Sequence, residues 1–371
     1  MRVYQAIIFI LFSAITAVSV ERILTMARTR RSCCALLVKM RSTLTAVIAV
    51  LFFTLFSFPL YADELIIEPE MGRQPIIHAI DNAHQSIQIV MYGFTDKSLL
   101  EKLIQQKRNG RTINIILEEK PYQTEAENNK TFSILKHEAI PFIANIPSLR
   151  LIHQKTLIID KQKALVMTFN FTHAAFKRER NFALIVDDPQ RVNAIENIFS
   201  ADWHNTPVLN PSAQILLSPE DSRQKLLSFI AQAKYTLQIY AQNINDYKII
   251  GALAKAARKG IHVQLLSSTN LREKEAHYLI RAGVKISYTK KLIIHAKVII
   301  LDNEKALIGS INLTRASLDD NRELSVITED THVIKSLTKT FNHDWNDAEA
   351  ANKLSLYTDK KLKPVRPEER S

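Results

Sequence analysis

Short apolar runs alternate with stretches of helical periodicity along most of the chain, and the alternation occurs twice. In each copy an apolar run predicts a strand, a helix-period stretch follows, and a β-branched run predicts the next strand. Gly110 and Gly260 follow the two helical stretches, where a helix C-terminus favours a left-handed residue. The predicted segments are Ile87–Tyr92, Ser98–Arg108 and Ile113–Leu117 in the first copy, and Leu237–Tyr240, Ile249–Arg258 and Ile261–Leu266 in the second.

The two copies keep a common register beyond these segments. Each continues with two short strands that predict a hairpin around an aspartate, Asp160 or Asp302, and each ends in a helix carrying the pattern F-x-x-D-W. Matching residues are 150 apart in the front of each copy and 142 apart in the back. The extra eight residues of the first copy fall mainly in the polar stretch Glu118–Lys130. An internal repeat of strands and helices predicts an α/β fold, with two tandem α/β/α layered domains related by pseudo-twofold symmetry.

The front of the chain has the pattern of a targeting segment. Residues 44–62 are nearly all apolar, follow Lys39 and Arg41, and precede the acidic Asp63. This pattern predicts a signal peptide cleaved near Ala62 and a secreted or periplasmic protein. The alternative is an N-terminal helix that anchors the protein in a membrane, because 19 residues are close to the about 20 that cross a bilayer. The predicted divisions are a targeting segment at 1–62, domains at 63–206 and 207–350, and a basic tail at 351–371.

Composition limits the function classes. Apolar residues make up 46% and charged residues 23% of the 371, which excludes a disordered tail protein and a polytopic membrane protein. Residues 1–62 hold seven of the 49 Lys/Arg and one of the 37 Asp/Glu, so the remainder carries 42 basic and 36 acidic residues, a net charge of +6. Such a charge suits an anionic lipid surface or nucleic acid. Cys33 and Cys34 precede the cleavage point, which leaves no thiolate for a disulfide, a zinc site or a nucleophile.

The polar residues that match between the copies form a candidate site for phosphodiester chemistry. Residues i and i+2 of a strand share a face, so the histidine and lysine of each H-x-K sequence project into one pocket. Two such pockets brought together place imidazole, ammonium and amide groups around one phosphorus centre. These groups can neutralise the phosphoryl oxygens without a metal or another cofactor. The matching residues are His153, Lys155, Asp160, Thr168 and Asn170 in the first copy, and His295, Lys297, Asp302, Ser310 and Asn312 in the second.

These motifs resemble the signature of the phospholipase D superfamily, HxKxxxxD followed by GSxN, present twice. The second copy matches the whole pattern, whereas the first has Met167 and Thr168 in place of Gly-Ser. The likeness extends from about Leu65 to Trp345. It implies two tandem phospholipase D-like domains and a two-step displacement, in which one histidine forms a phosphohistidine and the other protonates the leaving alcohol.

The resemblance also implies roles for individual residues. In the family an acidic residue after GSxN orients the histidine of the opposite half, and Glu323 holds that place in the second copy. The first copy has Asn181 there, with Glu179 two residues earlier. We therefore expect His153 to be the nucleophile and His295 the general acid and base. Both lysines and both asparagines are expected to be catalytic, Thr168 and Ser310 to bind substrate, and the two aspartates to serve the turn.

The expected function is a phospholipase D-type phosphodiesterase that hydrolyses glycerophospholipids to phosphatidic acid and an alcohol. One alternative is a cardiolipin synthase-like phosphatidyltransferase, in which a lipid alcohol captures the same intermediate. Further alternatives are a metal-independent endonuclease and a catalytically weak lipid-binding or nucleic-acid-binding protein. The expected partner is a phospholipid membrane, with nucleic acid as the alternative. A monomer is expected, because one chain already carries both halves of the site.

Overall fold

The computed structural model describes residues 62–209 and 212–350. The apolar segment before Ala62, the two cysteines and the basic tail lie outside these ranges, so a signal peptide, an anchor and export stay predictions. Over the described ranges, no helix combines the length and the apolar character needed to cross a membrane. Below, the first half denotes residues 63–206 and the second half residues 207–350.

Strands and helices alternate in both halves, as the hydrophobic pattern predicts. The first half contains the strands β1 (Glu64–Glu68), β2 (Ser86–Met91), β3 (Thr112–Leu117), β4 (Phe142–Ile143), β5 (Thr156–Ile159), β6 (Lys163–Met167) and β7 (Glu179–Val186). Its helices are α1 (Gln74–Asp81), α2 (Lys97–Arg108), α3 (Asn129–His137) and α4 (Pro189–His204).

The second half repeats this order. Its strands are β8 (Ile215–Ser218), β9 (Thr236–Ala241), β10 (His262–Ser267), β11 (Lys285–Tyr288), β12 (Ile293–Ile294), β13 (Lys297–Leu301), β14 (Lys305–Gly309), β15 (Glu323–Thr328) and β16 (Glu349–Ala350). Its helices are α5 (Ser222–Ala231), α6 (Tyr247–Arg258), α7 (Glu273–Arg281), α8 (Arg315–Asp319) and α9 (Thr331–Asn346).

Each half forms one mixed sheet. The strand order is β1-β7-β6-β5-β2-β3-β4 in the first sheet and β16-β11-β10-β9-β13-β14-β15-β8 in the second. In both, a parallel pair (β2 with β3, β9 with β10) adjoins the antiparallel hairpin that follows the H-x-K sequence. The short strand β12 leaves its own half and pairs in parallel with β7 of the other. This exchange joins the two sheets next to His295.

The core has three parts, because both faces of each sheet are covered. Along β2, Ile89 packs outward against α1 and α2, whereas Val90 faces a central cluster. That central cluster contains residues from both sheets together with α4 and α9, and a separate outer cluster packs α5, α6 and α7 on the second sheet. Trp203 and Trp345 lie at the edge of the central cluster, where they stack on Phe199 and Phe341, respectively. The halves are therefore two α/β layers around one shared core, which fixes their active-site ends relative to each other.

The aspartate of each HxKxxxxD motif closes the hairpin at the far end of the sheet from the histidine. Asp160 and Asp302 have φ angles of 54° and 53°, the left-handed conformation that an aspartate tolerates in a tight turn. Each carboxylate accepts three backbone N–H groups, from residues 84–86 and from residues 234–236. The side chains thus tie the hairpin to the neighbouring helix–strand connection.

The first-half insertion lies between β3 and α3. The connection covers residues 118–128 in the first half and only 268–272 in the second. It begins at the active-site end of β3, so the extra residues extend one side of the site. Tyr122, within this loop, is 62% exposed at its surface.

Candidate active site

The two histidines of the repeated motif line one cavity. His153 lies three residues before β5 and His295 two residues before β13, so both lie at the same end of their sheets. Apart from Lys297, the residues of the two H-x-K sequences lie outside the strands in which they were predicted. The cavity has a volume of about 340 Å³ and receives residues from both halves. The other polar side chains that line it are Tyr92, Tyr122, Gln123, Arg150, Asn170, Gln242, Asn243, Asn312, Thr314, Ser317 and Asn321.

Glu323 of the second half holds His153 of the first. The Nδ1 atom of His153 lies 2.9 Å from Oε2 of Glu323. A carboxylate only accepts hydrogen bonds, so Nδ1 carries the proton and Nε2 keeps a free electron pair. The hydroxyl of Ser317 donates to the other carboxylate oxygen at 2.6 Å. Tyr92 packs edge-on against the imidazole, with ring centroids 4.6 Å apart. The His153 ring is therefore oriented on two sides, with Nε2 left free to act on a substrate.

A neutral amide takes the equivalent place beside His295. Nδ1 of His295 lies 3.1 Å from Oδ1 of Asn181. The amide orientation follows from its other partners: the Thr168 hydroxyl donates to Oδ1 at 2.8 Å, and Nδ2 donates to Glu179 at 2.9 Å. The backbone N–H of Phe182 in turn donates to Thr168. His295 thus donates from Nδ1 to an uncharged oxygen, and its carboxylate neighbour Glu179 is 3.8 Å away.

The two motif lysines are buried next to the histidines, and neither lines the cavity into which both were predicted to project. Lys155 donates to the backbone oxygen of His153 at 2.6 Å and lies 5.1 Å from the Tyr92 ring centroid. Lys297 donates to the backbone oxygen of its own histidine, His295. Burial lowers the pKa of Lys155 to about 7, although Glu323 favours the charged form. Burial also places the pKa of Lys297 well below its ordinary value, and the nearby Lys155 lowers it further. A bound anion would stabilise both ammonium groups.

Burial favours the neutral form of both histidines. Burial lowers the pKa of His153 to about 4, a shift that the Glu323 charge opposes and the Lys155 charge increases. Burial and the charge of Lys297 hold the pKa of His295 well below its ordinary value. A neutral imidazole suits the nucleophile. An anionic diester next to His295 would favour its protonated form.

The predicted amide side chains line the cavity, whereas the predicted hydroxyl side chains do not. Asn170 and Asn312 line the cavity, and no partner is found for Oδ1 of Asn312 within the described residues. Thr168 and Ser310 are fully buried, and neither lines the cavity. Ser310 accepts the backbone N–H of Leu324, the equivalent of the Phe182–Thr168 bond. These hydroxyls hydrogen-bond to the residues behind the histidines. Direct substrate binding by them stays a prediction.

Tyr92 and the loop beside it are functional candidates that the internal repeat did not reveal. The Tyr92 hydroxyl accepts the backbone N–H of Tyr122, which ties the insertion to the histidine's aromatic neighbour. Glu118 accepts the N–H of Ile152, next to His153. The second half has Gln242 at the position of Tyr92, so the repeat gave no signal for the tyrosine. Among residues 62–209 and 212–350, no three His, Cys, Asp or Glu side chains are grouped so that they could hold a metal ion.

Comparison with known proteins gives a consistent family assignment. Residues 76–203 and 226–345 match the family described as "Cardiolipin synthase, PLD-like domain". The chain is 26% identical over 232 residues to cardiolipin synthase 2 of Bacillus anthracis, covering 53% of this chain and 45% of that protein. It is 25% identical to the major cardiolipin synthase of Bacillus subtilis, covering 72% and 65%. A phospholipase D of Rickettsia typhi is 27% identical over 35% of this chain and 63% of its own length.

The chain spans about half the length of the first curated relatives that it matches. Solved structures share its fold. A phosphatidylserine synthase of Haemophilus influenzae matches with a TM-score of 0.62 at 11% identity, over 78% of this chain and 87% of that one. A polyphosphate kinase of Porphyromonas gingivalis matches with a TM-score of 0.63 at 15% identity, over 82% and 54%.

Proposed function

The chain belongs to the phospholipase D-like family of cardiolipin synthase domains, and on this basis we propose that it is a phosphatidyltransferase of the cardiolipin synthase type. The observation that carries the proposal is the single cavity lined by His153 and His295, each backed by a different polar group. The relatives named as cardiolipin synthases favour transfer to a lipid alcohol over the hydrolysis expected from the sequence. The proposed substrate is a glycerophospholipid at a membrane surface.

In the first step, Nε2 of His153 attacks the phosphorus of the bound diester. The P–N bond forms as the P–O bond to the head-group alcohol breaks, and protonated His295 gives its proton to the leaving oxygen. Lys155 and Lys297 neutralise the phosphoryl oxygens, with Asn170 and Asn312 as the adjacent amides. The products of this step are a phosphatidyl-histidine and the free alcohol.

In the second step, the hydroxyl of another phospholipid replaces the lost alcohol. It attacks phosphorus, its proton passes to His295, and the bond to His153 breaks. Proton transfer by His295 is balanced over the two steps, so the enzyme returns to its starting state. If the acceptor is phosphatidylglycerol, the product is cardiolipin. If it is water, the product is phosphatidic acid.

Two features support different tasks for the two histidines. Glu323 stabilises positive charge on His153 as the P–N bond forms, because a carboxylate opposes the developing charge. Asn181 orients His295 without that charge, so His295 gives up its proton more readily. We therefore assign His153 as nucleophile and His295 as general acid and base.

The experiment that tests the proposal supplies the purified protein with phosphatidylglycerol vesicles and identifies products by mass spectrometry. Transfer gives cardiolipin and glycerol in equal amounts, whereas hydrolysis gives phosphatidic acid and glycerol. A parallel reaction with plasmid DNA tests the nuclease alternative. His153→Ala serves as the inactive control. Phosphatidic acid without cardiolipin would replace the transferase by a hydrolase, and cleaved DNA with intact lipid would reject both lipid activities.

A further inference from the structure

Two buried arginines directly precede the residues that support the histidines. Arg180 precedes Asn181, and Arg322 precedes Glu323. Successive side chains of an extended segment point to opposite sides, so the supporting residues face the site and the arginines face away from it. Both arginines are almost fully buried, with 2% and 3% exposure. Buried guanidinium groups need charged partners, and each finds one in the other half.

The partners are the aspartates of the two F-x-x-D-W patterns. Nε and Nη2 of Arg180 donate to the two carboxylate oxygens of Asp344, at 2.7 and 3.1 Å. Nη2 of Arg322 donates to Asp202 at 2.9 Å. We name Arg180–Asp344 the first clamp and Arg322–Asp202 the second clamp. Arg180 lies in β7 and Arg322 directly precedes β15, so each clamp joins the strand region of one half to the last helix of the other.

The same arginines also hold the histidines through their backbone. The N–H of His295 donates to the carbonyl oxygen of Arg180 at 3.2 Å, and the N–H of His153 donates to that of Arg322 at 3.0 Å. Each clamp therefore continues from a helix aspartate through an arginine to one histidine. The first clamp serves His295 and the second serves His153.

We propose that Asp344 and Asp202 are positioning residues that set the place of His295 and His153, respectively, through the arginine of each clamp. This inference rests on the proposed two-histidine chemistry and adds residues that touch neither the substrate nor the imidazoles. In-line transfer between two histidines depends on their separation, and a shift of about 1 Å can cost on the order of 10² in rate. Clamps between the halves control that separation.

The two clamps are built unequally. The hydroxyl of Tyr240 donates to Oδ2 of Asp344 at 2.7 Å and so braces the first clamp. The first-half counterpart of Tyr240 is Val90, which has no donor. Consistently, Oδ2 of Asp202 and Nε of Arg322 have no hydrogen-bond partner among the described residues. Tyr240→Phe therefore offers a mild, nearly isosteric perturbation of the first clamp alone.

The test separates the two chemical steps with bis(4-nitrophenyl) phosphate, a diester whose leaving group departs without a proton. Formation of the protein adduct then depends on His153, and its breakdown on His295. Asp202→Asn should slow adduct formation by on the order of 10²-fold. This is the same step that His153→Ala affects. Asp344→Asn should leave adduct formation unchanged and slow adduct breakdown to a similar extent. This is the same step that His295→Ala affects. Tyr240→Phe should slow breakdown to a smaller degree.

Matched controls come from the outer partners of the same arginines. Glu70 and Glu220 bind Arg180 and Arg322 from the surface, with side chains 55% and 30% exposed. Glu70→Gln and Glu220→Gln should change either step by less than about fivefold, because the glutamate of each pair is open to water, which can replace its hydrogen bonds to the arginine. Thermal unfolding of every variant shows whether it is folded at the assay temperature.

The inference is overturned if folded Asp344→Asn and Asp202→Asn slow the same step, or if neither differs from the glutamate controls. If the adduct forms in His153→Ala and not in His295→Ala, the assigned roles are reversed, and each clamp variant must still follow its own histidine. Lack of an adduct in the wild type and in every variant would reject the proposed chemistry and the inference together.

Discussion

Nδ1 of His153 lies 2.9 Å from Oε2 of Glu323, although 170 residues separate the two in the chain. The pair joins the halves at the candidate active site, and its counterpart pairs His295 with the neutral Asn181. The site is therefore symmetric in its histidines and lysines and asymmetric behind the histidines. The predictions below follow from this asymmetry and from the burial of the charged groups.

Glu323→Gln should abolish most of the activity. The glutamine keeps the size of the side chain but removes the charge that stabilises His153 as it bonds to phosphorus, and its amide can present a donor to Nδ1. We expect kcat to fall by on the order of 10²–10⁴. Initial rates of diester cleavage measure the effect, with the surface variant Glu329→Gln as control. A decrease of less than about tenfold would contradict the assigned role.

Asn181→Asp should move the alkaline limb of the pH–rate profile to higher pH. A carboxylate at this position favours the protonated imidazole and so raises the pKa of His295, which is lowered by burial in the native protein. In the proposed mechanism the leaving group needs protonated His295, so activity is lost as pH rises through the pKa of His295. We expect a shift of about one pH unit or more in kcat/KM, and none for the exposed Asn193→Asp. A shift to lower pH would contradict this arrangement.

Binding of a diester analogue should take up protons. Burial lowers the pKa of Lys155 to about 7, and a bound anion raises it. A group whose pKa rises on binding favours binding below its free pKa, so affinity should decline as pH increases above about 7.

Calorimetry of a phosphonate analogue of phosphatidylglycerol, in buffers of different ionisation enthalpy, measures this uptake. Lys155→Met should reduce both the proton uptake and the affinity, and lower the reaction rate by on the order of 10²–10³. Heats that do not depend on the buffer would show that neither the lysines nor His295 take up protons on binding.

Asp160→Ala and Asp302→Ala should weaken the fold and spare the chemistry. Each removes an acceptor for three backbone N–H groups, at a cost of about 1–3 kcal/mol in the free energy of unfolding. Urea denaturation measures the loss, and the exposed Glu304→Ala is the control. Below the unfolding transition, kcat per folded molecule should remain close to that of the wild type. A large fall in kcat without loss of stability would assign the aspartates to catalysis.

Activity should be unchanged in a chelator. In the proposed mechanism a bound diester stabilises the ammonium forms of Lys155 and Lys297, which then supply the positive charge that a metal ion would otherwise bring to the phosphoryl oxygens. Equal initial rates in buffer with EDTA and in buffer with Mg²⁺ are expected. A requirement for added divalent ion would contradict catalysis by side chains alone.

Most elements of the fold could be predicted because local patterns specify them. The strand alternation around Ile89, the turn at Asp160 and the helix-ending Gly110 depend on neighbours close in sequence. Repetition then identified the site residues, since His153 and His295 occupy matching positions.

Other residues escaped because the repeat gave no signal for them or because their partners lie far along the chain. Tyr92 has no aromatic counterpart in the second half. Arg180 and Arg322 do match at the offset of 142, as do Asp202 and Asp344, and that register could have marked them. Their pairing across the halves could not be derived from it.

The sequence by itself determined two copies of an α/β unit and the chemical groups that each contributes. The tertiary structure decided which histidine each supporting residue holds, how β12 crosses to the other sheet, and how the clamps link the last helices to the site. These relationships depend on contacts over more than a hundred residues, which form only when both halves pack on one central core. Periodicity describes each segment alone, whereas packing selects its partners.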